Sequence, residues 1–396
     1  MSRSLRRTTA ILAACGLVIA ACGSDDDSDS VASSDTQTTD AEDTAVEDNV
    51  TVTPPEETSP PEETSPPEET SAQEPEPTEA PAEIEPLDLT LGVFPGAWPN
   101  INDFVAQETG IFERHGLNVE MIDLATGPDQ INAVASGSID LASNAPANFM
   151  IPNSRGQDLV GVVNVINAPL YSWVAQGDWP TPNADEPYPG PVEDFRGANI
   201  GITGLGAEVH LFTQALLRDA GLSDDDVTFI AVGGVATGVA AFEAGQTDIH
   251  VAFEPAQTLL TNQFDGKIML DLRAGEGPEV FNQVSGQIRG ALRSSVESEP
   301  EKFVRYQDAT EEVIEFIRDP ANLDAVIDAF SVYTGLERDL AQSLIESNRE
   351  TLSPIYSCVG HDALAQFEVD VEQIPEGDTQ ECDEFFWSGA DRFLER

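Results

Sequence analysis

The tightest constraint on this chain is a device that it uses twice. Residues 136–146 read SGSIDLASNAP and residues 244–255 read AGQTDIHVAFEP. Each is a Gly-x-x-Asp turn that follows an Ala-rich helical stretch, opens a short apolar strand and stops at a proline. Glycine adopts the left-handed conformation that closes a helix at little cost, so Gly137 and Gly245 mark helix ends. The repetition predicts two similarly built α/β lobes whose strands run on toward a shared crevice. Two unrelated helix-to-strand turns are the plainer alternative.

Hydrophobic periodicity supports the pair of lobes. Residues 87–93 alternate apolar and polar, 101–114 carry helical spacing, 118–124 alternate again, 129–135 form a short helix and 139–142 the next strand. That β-α-β-α-β order predicts a mostly parallel sheet flanked by helices. Strands at 159–166 and 170–175 follow, then a Pro-rich insertion at 179–191. The pattern restarts with a strand at 198–202, a helix at 208–219, a strand at 227–232, a helix at 235–244 and a strand at 249–253. After 267–272, a strand within 283–292 returns to the first lobe, and the rest is a helical extension: 299–318, 321–330, 337–348 and 382–394. Lobe 1 is thus expected at 87–174 plus 286–396 and lobe 2 at 175–285. The crossings fall near 172–176 and 283–287.

The chain opens with Arg3, Arg6 and Arg7 ahead of an apolar stretch at 11–21 that is short for a membrane span, an export-signal pattern. Ile19-Ala20-Ala21-Cys22 resembles the bacterial lipobox, which implies a signal at 1–21 and a lipid on Cys22 that anchors the protein to the outer face of the membrane. Residues 22–86 then form an acidic tether rich in Pro, Thr and Ser, including Pro-Pro-Glu-Glu-Thr-Ser three times in succession. Such a segment buries too little apolar surface to offset the entropy of ordering it. Cys358 and Cys382 remain as an even pair in an exported chain, which predicts a disulfide. With 72 acidic against 18 basic residues and a formal charge of −54, the chain lacks the basic footprint that a nucleic-acid partner requires.

Several stretches, in order, resemble a known group. They are Gly110-Ile111-Phe112-Glu113-Arg114-His115-Gly116-Leu117-Asn118-Val119, then 133–140, then Phe195-Arg196-Gly197-Ala198-Asn199-Ile200-Gly201, then 241–255. Together they resemble the substrate-binding proteins of ABC importers, in the group serving nitrate, sulfonates, taurine and thiamine-precursor pyrimidines. The resemblance implies the type II periplasmic-binding fold, two lobes closing on a small solute, with membrane permease and ATPase subunits as partners, a monomer and no cofactor.

In open α/β sheets, ligands bind outside the carboxyl ends of the strands. The candidate contacts are therefore Phe94, Trp98, Asn100, Asn144 and Asn148 in the first lobe, and Thr203, Gly204, Gly206, Thr237 and Glu254 in the second. Trp98 serves equally as a ligand wall or as loop packing, and Asn144 and Asn148 as solute contacts or helix caps. Tyr171 and Trp173 read as strand residues and His210 as a helix residue. In the stretch 202–208 the glycines permit close backbone approach, as at an anion-binding helix N-terminus. Hydroxyls are scarce there, however, and Glu208 enters the first turn. With Glu254, it favours a neutral or amine-bearing nitrogen compound such as a pyrimidine over nitrate or a sulfonate. The alternatives are a sulfonate, taurine or nitrate binder of the same fold, a thiamine-pyrimidine synthase-like enzyme, and a tethered signalling receptor. Catalysis lacks its motifs: there is no G-x-S-x-G, no P-loop and no H-E-x-x-H, and His115, His210, His250 and His361 show no metal-ligand spacing.

Overall fold

The computed structural model describes residues 85–396 of the chain. The export signal, Cys22 and all but the end of the tether lie outside the described residues.

The first lobe opens with β1 (Leu87–Val93), in which Leu89, Leu91 and Val93 are buried. Helix α1 (Ile101–Glu108) and the single turn α2 (Ile111–Arg114) occupy the stretch expected as one helix. Gly110 separates them at φ 69°, a left-handed backbone that cannot propagate a helix. Then come β2 (Leu117–Asp123), α3 (Gly127–Ala135), β3 (Leu141–Asn144), α4 (Ala147–Ser154) and β4 (Leu159–Ile166), the last buried along its whole length. The second lobe is β5 (Ser172–Ala175), α5 (Gly190–Glu193), β6 (Asn199–Ile202), α6 (Glu208–Asp219), β7 (Thr228–Ala231), α7 (Val235–Glu243), β8 (Ile249–Ala252), α8 (Ala256–Gln263) and β9 (Lys267–Asp271). The chain returns through β10 (Gln287–Leu292). It ends in α9 (Arg293–Ser298), α10 (Pro300–Arg318), α11 (Leu323–Thr334), α12 (Arg338–Asn348), β11 (Tyr356–Ser357), α13 (Cys358–Asp370), α14 (Cys382–Phe385) and β12 (Leu394–Glu395).

Two five-stranded sheets result, in the orders β2-β1-β3-β10-β4 and β7-β6-β8-β5-β9. They are mostly parallel, as expected, each with one antiparallel strand. The strand that returns, β10, runs antiparallel between β3 and β4, and the strand that enters the second lobe, β5, runs antiparallel between β8 and β9. Because β5 pairs wholly within the second sheet, the first passage between lobes lies at residues 167–171, ahead of the boundary expected after Val174.

The two Gly-x-x-Asp turns occupy the same place in each lobe. Gly137 (φ 72°) ends α3 before β3, and Gly245 (φ 64°) ends α7 before β8. Each turn closes its helix with the same two hydrogen bonds: Gly137 N to Val134 O and Ser138 N to Ala133 O, against Gly245 N to Phe242 O and Gln246 N to Ala241 O. The aspartates complete the likeness. Asp140 Oδ2 accepts from Thr90 N (2.8 Å) and Thr90 Oγ1 (2.9 Å) in β1. Asp248 Oδ2 accepts from Asn199 N (2.7 Å) and Asn199 Nδ2 (2.9 Å) in β6. Each carboxylate ties the end of a helix to the first parallel strand of its own sheet.

The C-terminal segment departs from the expected helix at 382–394. The helix breaks after α14, where Phe386 becomes extended and bridges Gly161 on the edge strand β4, and Trp387 N donates to Gly161 O at 3.0 Å; a 3-10 stretch, Ser388–Phe393, follows. Closing a sheet edge satisfies backbone groups that a continued helix would leave bare. Helix α13, which the periodicity does not reveal, fills the space before it. Cys358 and Cys382 form the expected disulfide, joining the starts of α13 and α14 with Cα atoms 5.5 Å apart. The closed loop spans a sequence separation of 24, so Cys382→Ser is expected to cost about 3 kcal/mol by the chain-entropy argument. Urea unfolding at neutral pH checks this, and a midpoint equal to that of the parent protein would contradict it.

Candidate functional site

The ends of β1, β3, β6 and β8 converge on a gap between the sheets, joined there by the start of β10 and the segment entering β5. The gap leaves a cavity of about 20 Å³ with the lobes in this arrangement and is lined by residues from both lobes. Phe94 follows β1, Asn144 ends β3, Asn148 lies on the first turn of α4 and Gln287 begins β10. Across the gap stand Tyr171, Thr203, Glu208 and Phe253. The lobes meet around it: Trp98 N donates to Glu254 O at 3.0 Å, and Phe94 packs edge-on against Phe253 with centroids 6.2 Å apart.

The polar wall of the first lobe is organised from beneath. Asn144 Nδ2 donates to Gly127 O (2.9 Å), while its Oδ1 accepts from Asn148 Nδ2 (2.6 Å). Gln287 Nε2 and Asn100 Nδ2 both donate to Ser143 Oγ, at 2.8 and 3.0 Å. Asn100 continues the chain to Asp103 Oδ2 (3.0 Å), and Asp103 pairs with Arg289 at 2.5 Å, both ions fully buried. A buried network in which each member has a partner fixes rotamers, so the wall is held rigid.

Glu208 dominates the opposite wall. It sits in the first turn of α6 and is only 2% exposed, and its Oε1 has no hydrogen-bond partner. Burial pushes its carboxyl up to about 8; the neighbouring Tyr171 hydroxyl pulls the other way, and Glu368 adds an upward push. Burial and the Glu208 carboxyl together hold the Tyr171 hydroxyl well above its ordinary range. The lining contains no Lys, Arg or His. Among the described residues, no cluster of three or more His, Cys, Asp or Glu could hold a metal ion.

Of the residues singled out in the sequence, Phe94, Asn144, Asn148 and Thr203 line the gap. Trp98 does not: it is 1% exposed and its ring packs edge-on against Phe330 of α11 at 5.9 Å. Asn100 lies one layer below, its Oδ1 accepting from Phe94 N at 2.9 Å. Gly204 stands where the lobes touch, beside Thr126, and Gly206 borders a separate groove with Pro128 and Ile131. Thr237 Oγ1 caps its own helix by donating to Gly234 O (3.1 Å). Glu254 is turned away from the gap by Arg273 Nη1 (2.8 Å) and Thr258 N (3.1 Å). Its charge is therefore answered within the second lobe and does not add to that of Glu208. Trp173 donates from Nε1 to Thr213 Oγ1 in the core, and His210 packs on Phe229.

Gln287 and Phe253 were not anticipated. Gln287 carries a weak signal, as a polar residue at the start of the returning strand. Phe253 reads as an ordinary strand residue until its strand end is placed at the gap.

A family model described as NMT1/THI5 like matches residues 99–322. A binding protein of Brucella abortus (strain 2308) is 25% identical over 184 residues, 46% of this chain and 53% of that protein. The formylaminopyrimidine-binding protein of Halalkalibacterium halodurans is 25% identical over 152 residues, 38% of this chain and 42% of that protein. The chain thus spans about half the length of the curated relatives it matches. Among solved structures, the alkanesulfonate-binding protein SsuA of Xanthomonas axonopodis pv. citri, bound to MOPS, superposes with a TM-score of 0.62 at 18% identity. The match covers 77% of this chain and 99% of that one. At that identity the likeness concerns the fold, and the fold is the two-lobed periplasmic-binding architecture expected from the sequence.

Proposed function

The chain belongs to the NMT1/THI5-like family, and from that premise we propose that it is the extracytoplasmic solute-binding component of an ABC importer. It takes up a small nitrogen-containing organic solute, pyrimidine- or amine-like, between its lobes and presents it unchanged to a membrane permease driven by ATPase subunits. A lipid on Cys22 keeps it at the outer face of the membrane.

One observation carries the choice of solute: the gap offers a buried carboxyl with a free oxygen and no cation. An N–H donor of an amine or aminopyrimidine meets the need of Glu208 Oε1. The amides of Asn148 and Gln287 can donate or accept, and Phe94, Tyr171 and Phe253 offer ring faces and edges to a heterocycle. A sulfonate or nitrate meets the reverse situation. The N-terminus of α6 favours an anion, but the lining supplies no cation to pair with it. A helix terminus alone contributes typically about 0.3–1 kcal/mol. Closure follows from contacts that only the closed gap makes, with the aromatic pair Phe94 and Phe253 coming from opposite lobes.

Calorimetric titration of the exported protein with aminopyrimidines, simple amines, taurine and nitrate tests the reading. Saturable binding of a nitrogen base with no response to the anions is expected. Tight binding of taurine or nitrate, with silence toward every base, would reject it.

A further inference from the structure

Glu368, on α13 of the C-terminal extension, is fully buried, and neither of its carboxyl oxygens has a hydrogen-bond partner. Buried carboxyls without donors are rare, and each calls for an explanation. Helix α13 meets α6 of the second lobe beside it. The adjacent Phe367 packs edge-on against Phe212, one turn along α6 from Glu208, with centroids 5.6 Å apart. Glu368 lies behind the gap wall rather than in it. Together the two acids present three oxygens without a donor: Glu208 Oε1 and both oxygens of Glu368.

The surrounding elements bring no cation. Tyr171 faces Glu208 from the segment entering β5. Tyr356 of β11 feels both Glu208 and Asp362, and its hydroxyl is 3.2 Å from His361 Nδ1. Burial lowers the His361 imidazole from its ordinary value, and among the described residues no Arg or Lys acts on either acid. Two buried carboxyls in such surroundings do not both ionise readily: burial raises each, and at Glu208 the charge of Glu368 adds to it.

We propose that Glu368 is a positioning residue for the solute site, forming with Glu208 a buried acid pair that keeps a proton until the ammonium or amidinium end of a solute displaces it. The inference rests on the reading of a nitrogen-containing solute and narrows it to a cationic one. In the exchange, a carboxyl O–H bond of the pair breaks and the proton passes to water. The solute N–H groups then hydrogen-bond to the carboxylate left behind. Glu368 touches no solute and acts through Glu208, by raising the pH at which Glu208 ionises.

Linkage fixes the signs. A carboxyl whose folded value is raised contributes stability that is fully present below its unfolded value and is lost as pH rises through the folded one. With both acids pushed up to about 8, the protein is expected to melt at a lower temperature at pH 9 than at pH 6, and Glu368→Gln to narrow that drop.

The probes are benzamidine, a cation across this range, and benzamide, its neutral counterpart, titrated into the exported protein from pH 6 to pH 9. Benzamidine affinity is expected to rise by up to about tenfold per pH unit, the mark of one released proton, while benzamide affinity stays flat. In Glu368→Gln the benzamidine profile moves to lower pH. Coincident profiles for the parent and the variant, or a flat profile in the parent, overturn the proposal. So does failure of benzamidine to bind. Should Glu368→Gln fail to fold, titration of the parent in phosphate and in Tris decides, since no proton release at pH 7 overturns it equally. Neutral aminopyrimidines that bind without proton release sink this inference alone. Taurine or nitrate binding with every base silent sinks the parent reading as well.

Discussion

Arg289→Met is expected to remove about 3–5 kcal/mol of stability, the cost of leaving a buried charge without its partner. Arg289 and Asp103 are both inaccessible to solvent. Around them, Arg289 Nη2 also donates to Pro99 O and Asn102 Oδ1, each at 3.0 Å, and the Tyr306 hydroxyl donates to Asp103 Oδ1 at 2.5 Å. The variant leaves Asp103 buried without its counter-charge, at the end of the chain of contacts that runs through Asn100 and Ser143 to Gln287. Pairing it with Asp103→Leu removes both charges together, and the double variant should regain most of the loss, as replacements of whole buried ion pairs do. Urea unfolding of the three proteins measures this. A single-variant loss under about 1 kcal/mol, or a double variant no better than the single, would show that the pair is not what holds the wall.

Glu208→Ala should separate binding from folding. For the nitrogen base that binds most tightly, truncation of a buried hydrogen-bonded charge is expected to weaken affinity by about 2–4 kcal/mol, or roughly 30- to 1,000-fold. The folded protein should be at least as stable as its parent near pH 8, because a buried carboxyl with a free oxygen is removed. Titration calorimetry beside thermal unfolding gives both quantities. Unchanged affinity would exclude Glu208 from the solute contact, and a parallel collapse of stability would mean that its role is structural.

What could be read in advance was local chemistry. Gly137 and Gly245 announce themselves because a left-handed helix stop is decided within a few residues, and the strands that follow inherit their placement at the gap. Phe94, Asn144, Asn148 and Thr203 follow from the same rule about strand ends. The misplaced residues are those whose partners lie elsewhere in the chain. Trp98 is claimed by Phe330 of α11, and Glu254 by Arg273 beyond α8. No periodicity records such meetings. The segment after Cys382 fails for a related reason: its residues suit a helix, but the open edge of β4 offers backbone partners that only the assembled sheet supplies. The one antiparallel strand in each sheet was illegible too, since a short segment such as 287–292 does not tell which way a strand will run beside its neighbours.

The position of β10 between β3 and β4 has a consequence for how the molecule comes into being. The whole second sheet is made from one uninterrupted piece of chain, β5 through β9, so it can assemble as soon as that piece has been synthesised. The first sheet cannot: β3 and β4 must wait with a vacancy between them until some hundred residues have been threaded past, and then admit a latecomer. Long-range pairing of this sort slows folding and leaves strand edges exposed meanwhile. The half that is synthesised first is therefore the half that is finished last.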